Sequence, residues 1–255
     1  MSPDSAPWVL VGCGRMGSAL LKGWARPDAI VIEPNNPAYL PDIEAAGNIS
    51  PALVVFAVKP QAIAGVVPAY AKFRGATFLS IAAGKTIAGF EALLGPEAAI
   101  VRAMPNTPAA IGKGVSVAVA NGNVSAAGRT LANDALKAGG MVEWVGNESL
   151  LDAVTALSGS GPAYVFYLVE VMARAGEAMG LAPDLAMKLA RQTVIGSGHL
   201  LEQSADGAAA LREAVTSPGG TTAAALHILK DSGRLQDLMT EALEAAQARG
   251  RELAG

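Results

Sequence analysis

The sequence predicts an α/β chain in two parts: an N-terminal domain built on a parallel sheet, then an all-helical domain. Three observations carry this. Short apolar runs alternate with amphipathic stretches through the first half, the pattern of strands covered by helices. A Gly-x-Gly-x-x-Gly loop follows the first of those runs. After Gly146 strand-like runs stop and helical spacing takes over.

Strands are expected at 8–11, 30–32, 53–58, 77–81, 100–103, 115–119 and 142–145, each strand-length and bounded by Gly, Pro or Asn. Helices are expected between them near 18–24, 62–70, 87–94 and 125–138. The connection from Pro34 to Pro51 is short and broken by four prolines, so its helix should be stunted. The second part reads as helices at 162–179, 183–201, 208–215, 222–229 and 235–249, several opened by Pro or Asp and closed by Gly. The expected domains are therefore 1–148 and 149–255. The helix at 162–179 is apolar on nearly every face. Such a helix must be buried all round, so the second domain should pair with another copy.

Composition narrows the function classes. The 255 residues are 51% hydrophobic and 16% charged, with net charge −3. No broad basic surface exists for nucleic acid, and aromatics at 5% offer little base stacking. One cysteine and two histidines allow no disulfide and no metal centre. No apolar run approaches the ~18 residues of a membrane span. Residues 1–8 lack the basic and apolar regions of a signal peptide, so a soluble cytoplasmic protein is expected. The mean hydropathy of +0.35 is high for one and is consistent with burial between subunits.

The first strand runs into Gly12-Cys13-Gly14-Arg15-Met16-Gly17 and then a helix. In a Rossmann-type loop the first glycine permits the turn. The second admits a pyrophosphate, and the third packs helix on strand. Glu33 ends the second strand, 21 residues after Gly12, where a carboxylate can take the adenosine ribose. Cys13 reads as small filler. Ala57-Val58-Lys59-Pro60 closes the third strand, at the sheet end where ligands bind. The stretch 102–108, RAMPNTP, presents an amide and a hydroxyl on a stiff loop, and LSGSGPA at 157–163 suits a helix start or a close backbone approach.

Ser217-Pro218-Gly219-Gly220-Thr221-Thr222 supplies successive backbone N–H groups and hydroxyls at a helix start. That is a carboxylate trap without a fixed positive charge. No obvious acid–base residue accompanies it: His227, within a helix, reads as packed, and no Lys occurs between Lys137 and Lys188. A ketone needs a proton donor. A protonated imine is already electrophilic.

GCGRMG, AVKPQ, AAGKT, RAMPNTP, LSGSGPAYVF and VTSPGGTT, in this order, closely resemble pyrroline-5-carboxylate reductase over nearly the whole chain. The resemblance implies NADPH- or NADH-dependent reduction of 1-pyrroline-5-carboxylate to L-proline. It also implies a Rossmann-type domain followed by a helical dimerisation domain, assembled as homodimers and in many cases decamers. By that match Gly12, Cys13, Gly14, Arg15, Met16 and Gly17 hold the pyrophosphate. Ala57, Val58, Lys59 and Pro60 line the nicotinamide ribose, with Ala83 and Asn106 on the nicotinamide side. Ser217, Gly219, Gly220, Thr221 and Thr222 take the substrate, Thr222 bonding its ring nitrogen as the catalytic residue. Asn35, Asn36 and Asn48 are candidate adenine contacts in the shortened 34–51 segment. Glu33 stands where the family usually has Ser, Thr or Asn, which leans the cofactor choice toward NADH. Upstream of the trap, Asp206-Gly207 replaces a frequent His-Pro. Two alternatives are a 3-hydroxyacid or ketoacid dehydrogenase of similar build and a non-catalytic dinucleotide sensor.

Overall fold

The structure, a computed structural model, describes residues 6–254; most of the N-terminal segment in which no signal peptide is expected lies outside them. The chain forms two compact units, one reaching to Ser160 and resuming at Ala246, the other Gly161–Ala245.

In the first unit seven strands are present: β1 (Trp8–Val11), β2 (Ile30–Ile32), β3 (Leu53–Phe56), β4 (Thr77–Ser80), β5 (Ala99–Met104), β6 (Gly114–Ala120) and β7 (Gly140–Trp144). They form one sheet in the order β2-β1-β3-β4-β5-β6-β7. Strands β1 to β5 are parallel. β6 runs antiparallel to β5, and β7 is parallel to β6. The sheet is thus mostly, not wholly, parallel. Residues 105–113 are too short a link for a crossover, so the chain turns back.

Alternate residues feed two cores. Val9, Val11, Val54 and Phe56 join one buried cluster, while Trp8, Leu10, Leu53 and Val55 join the other. A period of two along fully buried strands requires cover on both faces. Four helices lie between the strands: α1 (Arg15–Gly23), α2 (Ile63–Val66), α3 (Ile87–Leu94) and α4 (Ala126–Lys137). The Thr86 and Ser125 hydroxyls cap α3 and α4, accepting from Gly89 and Gly128 N–H at 3.1 Å. Trp24, just past α1, donates Nε1–H to the Ala135 carbonyl of α4 at 2.9 Å.

Two expectations need adjustment. The stretch 62–70 is one α turn between 3-10 turns at Pro60–Ala62 and Val67–Tyr70, because Pro68 has no N–H to continue the ladder. The first unit also contains α5 (Leu150–Val154) and a π turn over Thr155–Gly159, neither of which the periodicity marked. The 34–51 connection keeps only a 3-10 turn at Glu44–Ala46, as its prolines require.

The second unit comprises α6 (Gly161–Ala178), α7 (Pro183–Gln203), α8 (Ala208–Ala214), α9 (Thr221–Lys230) and α10 (Arg234–Ala254), whose last turns belong to the first unit. Small residues bring α6 close to α7: a Cβ on Gly176 would lie 3.4 Å from that of Ala186. The buried residues of these helices are all alanines, Ala173, Ala186 and Ala190. Large apolar side chains face outward, with Phe166 63%, Leu200 64% and Leu238 63% exposed. A helical unit without large buried side chains needs a partner to complete its core.

Sedimentation velocity at micromolar concentration should therefore find a dimer or larger assembly. Phe166→Glu should shift it toward monomer or abolish cooperative unfolding. A wild-type monomer that unfolds cooperatively contradicts this reading.

Candidate functional site

The site begins where β1 ends. Gly12 has φ +91°, a conformation that favours glycine, and its N–H donates to the Ile32 carbonyl at 2.9 Å. A Cβ there would lie 2.8 Å from Val58 Cγ1 and 2.9 Å from the Ala57 backbone. A Cβ on Gly17 would strike the Gly12 carbonyl oxygen. These two glycines seat α1 on the sheet. Gly14 differs: nothing lies within 4 Å of where its Cβ would be. It precedes α1 with extended backbone and no side-chain cap, and the helix has no acidic residue in its first turn. The first N–H groups of α1 thus lack a side-chain acceptor beside open space, an arrangement that fits a phosphate.

Glu33 follows β2. Its Oε2 accepts from the Cys13 N–H at 2.9 Å, and its Oε1 accepts from the Asn35 N–H and Nδ2 at 3.3 Å. The Cys13 N–H, helped by Asn35, holds the carboxyl below the usual range. Cys13 and Met16 pack against the core cluster under the loop, and Cys13 pairs with the Tyr39 hydroxyl, pushing that phenol up.

These elements border a cleft of about 520 Å³ at the carboxyl ends of β1, β2 and β3. It collects Gly12, Gly14, Glu33, Asn35, Ala57, Val58 and Lys59 from the expected set. Gly17 lies beneath it. Arg15 and Met16 open α1, and Pro60 starts the turn after Lys59. Ala83 is exposed beyond β4. The cleft also includes Asp42, Glu44 and Tyr70, which no motif marked; their only signal is a polar stretch facing a strand end. Asn36 is engaged in its own turn, accepting from the Ala38 N–H at 3.0 Å. Asn48 lies on a different cavity, beside Lys72 and Arg74.

Beyond β5, both ends of the Asn106 amide are hydrogen-bonded. Its Oδ1 accepts from the Val115 N–H at 2.9 Å and its Nδ2 donates to the Ser158 carbonyl at 3.2 Å. Arg102, buried on β5, pairs with Glu148 at 2.8 Å. The same carboxylate oxygen accepts the Ile87 N–H at 2.9 Å. One ion pair therefore ties β5, the start of α3 and the approach to α5. A Cβ on Gly159 would lie 2.7 Å from Met104 Cε, so the LSGSG stretch does serve a close approach.

In the helical unit, residues 215–220 join α8 to α9. The Ser217 carbonyl accepts from the Gly220 N–H at 3.0 Å, and Gly219 has φ +70°. Gly220 precedes α9 without a side-chain cap, and the first turn has no acidic residue. Ser217, Thr221 and Thr222 are exposed. Thr216 turns inward, donating to the Arg212 carbonyl at 2.6 Å. His227 lies on the last turn of α9, exposed in the single chain. Among the described residues no group of His, Cys, Asp and Glu is disposed to hold a metal. Among the described residues no helix is long and apolar enough to cross a membrane.

A glycine loop capped by a helix, an acidic strand end and a following helical unit define the architecture of the two-domain, Rossmann-type reductases. A family profile described as pyrroline-5-carboxylate reductase dimerisation matches residues 148–253. A pyrroline-5-carboxylate reductase of Pseudomonas aeruginosa is 45% identical over 204 residues, 79% of this chain and 74% of the relative. The solved pyrroline-5-carboxylate reductase of Coxiella burnetii superposes with TM-score 0.91 at 32% identity, covering 98% of this chain and 99% of the other. The Plasmodium falciparum pyrroline carboxylate reductase, solved with NADP bound, gives TM-score 0.83 at 29% identity, covering 98% and 99%. The chain belongs to the pyrroline-5-carboxylate reductase family.

Two glycine substitutions separate packing from ligand space. Gly17→Ala should lower unfolding stability in urea by about 1–3 kcal/mol through overpacking. Gly14→Ala should stay within about 1 kcal/mol of wild type yet lose nucleotide binding in a fluorescence titration.

Proposed function

We propose that the protein reduces 1-pyrroline-5-carboxylate to L-proline with hydride from NADPH or NADH. Family membership supports this reading, and so does the NADP held by the Plasmodium relative. The observation that carries it is the loop 217–222. It offers a helix start with no side-chain cap and exposed hydroxyls, suited to an amino-acid carboxylate.

Gly12, Cys13, Gly14, Arg15, Met16 and Gly17 would bind the pyrophosphate. Glu33 and Asn35 would face the adenosine ribose. Ala57, Val58, Lys59 and Pro60 would face the nicotinamide ribose, with Ala83 and Asn106 toward the nicotinamide. The Asn106 side chain acts there through the loop it fixes. Ser217, Gly219, Gly220 and Thr221 would hold the substrate carboxylate. Thr222, the proposed catalytic residue, would bond the ring nitrogen and hold its proton toward the trap. The reduced nicotinamide supplies a hydride when bound. That hydride would be delivered to a ring carbon already made electrophilic by the protonated imine nitrogen, which Thr222 would hold, so the product would be a neutral amine. No further acid is needed, in keeping with an α6 that contains neither Lys nor His. A ketoacid dehydrogenase would require such a group.

The proposed division of labour is 1–148 for the dinucleotide and 149–255 for substrate and dimerisation, in a cytoplasmic homodimer or a decamer of five dimers. Loss of nicotinamide absorbance on mixing protein, reduced cofactor and 1-pyrroline-5-carboxylate tests the activity. Turnover of ketoacids alone, or cofactor binding without turnover, overturns it. Thr222→Ala should lower kcat/KM about tenfold to a hundredfold, the loss of a ~1.5–3 kcal/mol hydrogen bond to a charged group. Thr222 is exposed at the start of α9, so folding and cofactor binding should persist. Wild-type kinetics in the folded variant removes Thr222 from the site.

A further inference from the structure

We infer that Glu33 and the acidic wall beside it make this enzyme select the cofactor without a 2′-phosphate, NADH, over NADPH. The inference rests on the dinucleotide reading of the cleft and adds which dinucleotide fits. Three carboxylates line the cleft: Glu33, Asp42 and Glu44. Lys59 is the one cation among its lining residues, and it follows β3, the strand-end stretch assigned to the other ribose. Chain order explains the imbalance: no Lys or Arg occurs between Arg26 and Lys59.

The nearby cations are committed elsewhere or lie off the wall. Arg26 makes two bonds to the Asp28 carboxylate at 3.0 and 3.1 Å and one to the Ala6 carbonyl at 3.0 Å. Lys72 does not line the cleft but stands 3.7 Å from Glu44 and offsets that carboxylate alone, leaving Glu33 and Asp42. Arg15 opens α1 and does not line it either. Glu33 itself is fixed from two sides. The Cys13 N–H orients one oxygen and Asn35 orients the other. Its carboxyl is held below the usual range by those donors, Cys13 first, so it stays charged at neutral pH. With Oε1 taken by Asn35 and one lone pair of Oε2 by Cys13, the fixed carboxylate keeps one lone pair, on Oε2, to accept from a ribose hydroxyl. A 2′-phosphate in its place meets like charge with no guanidinium on the cleft wall to offset it.

The test uses the complete protein and probes that isolate the ribose end: ADP-ribose and its 2′-phosphate, titrated by calorimetry, beside NADH and NADPH. Wild type should bind ADP-ribose more tightly than the 2′-phosphate by on the order of tenfold or more, and NADH and NADPH should follow the same order. Glu33→Gln keeps an acceptor for the Cys13 N–H while removing the charge. It should move both ratios toward the phosphorylated ligand by on the order of tenfold, as should Glu33→Ser. Tighter wild-type binding of the 2′-phosphate overturns the inference and leaves the reductase intact. So does an unmoved ratio in a folded Glu33→Gln protein. Failure of all four ligands to bind overturns the dinucleotide reading itself.

Discussion

The contact between α1 and the sheet, closed at Gly12 and Gly17, is the constraint on which the cleft at the strand ends depends. With a side chain at Gly17 the helix could not reach the Gly12 carbonyl. Its N-terminus would then move away from the cleft. The same packing brings Ala57 and Val58 against the loop, so the end of β3 and the start of α1 are set by one steric event. The Cys13 N–H to Glu33 bond extends that registration to β2. The glycine loop and the Glu33 end of β2 are thus built as one corner.

A second device fixes the sheet's far side by polar means. Arg102 is buried, and a buried guanidinium is tolerable only when paired and hydrogen-bonded. Glu148 meets both needs while also accepting the Ile87 N–H. Asn106 does comparable work with a neutral amide, joining its loop to β6 and to the π turn. These polar groups mostly bind backbone, and backbone does not reveal itself in residue spacing.

That distinction explains how much was legible beforehand. All seven strands fall where apolar runs placed them: β1 and β3, buried along their whole length, are continuously apolar, while the partly exposed β7 carries Glu143 between Val142 and Trp144. That Gly12, Gly14, Glu33, Asn35 and residues 57–59 border one cleft is legible from their places just after strands, because the carboxyl ends of parallel strands lie together. The direction of β6 is not, for it depends on the short 105–113 link rather than on β6 itself. The π turn at Thr155–Gly159 and the acidic pair Asp42 and Glu44 carry no periodic or motif signal.

The outward-facing Phe166, Leu200 and Leu238 have a kinetic corollary. A helical unit that buries only alanines on its own gains its large apolar contacts at encounter with another chain. The sheet unit buries large apolar side chains within one chain. Maturation of the helical half is then a bimolecular event, with a rate that rises with protein concentration, and at high dilution the newly made chain would wait, half finished, with its stickiest surface uncovered.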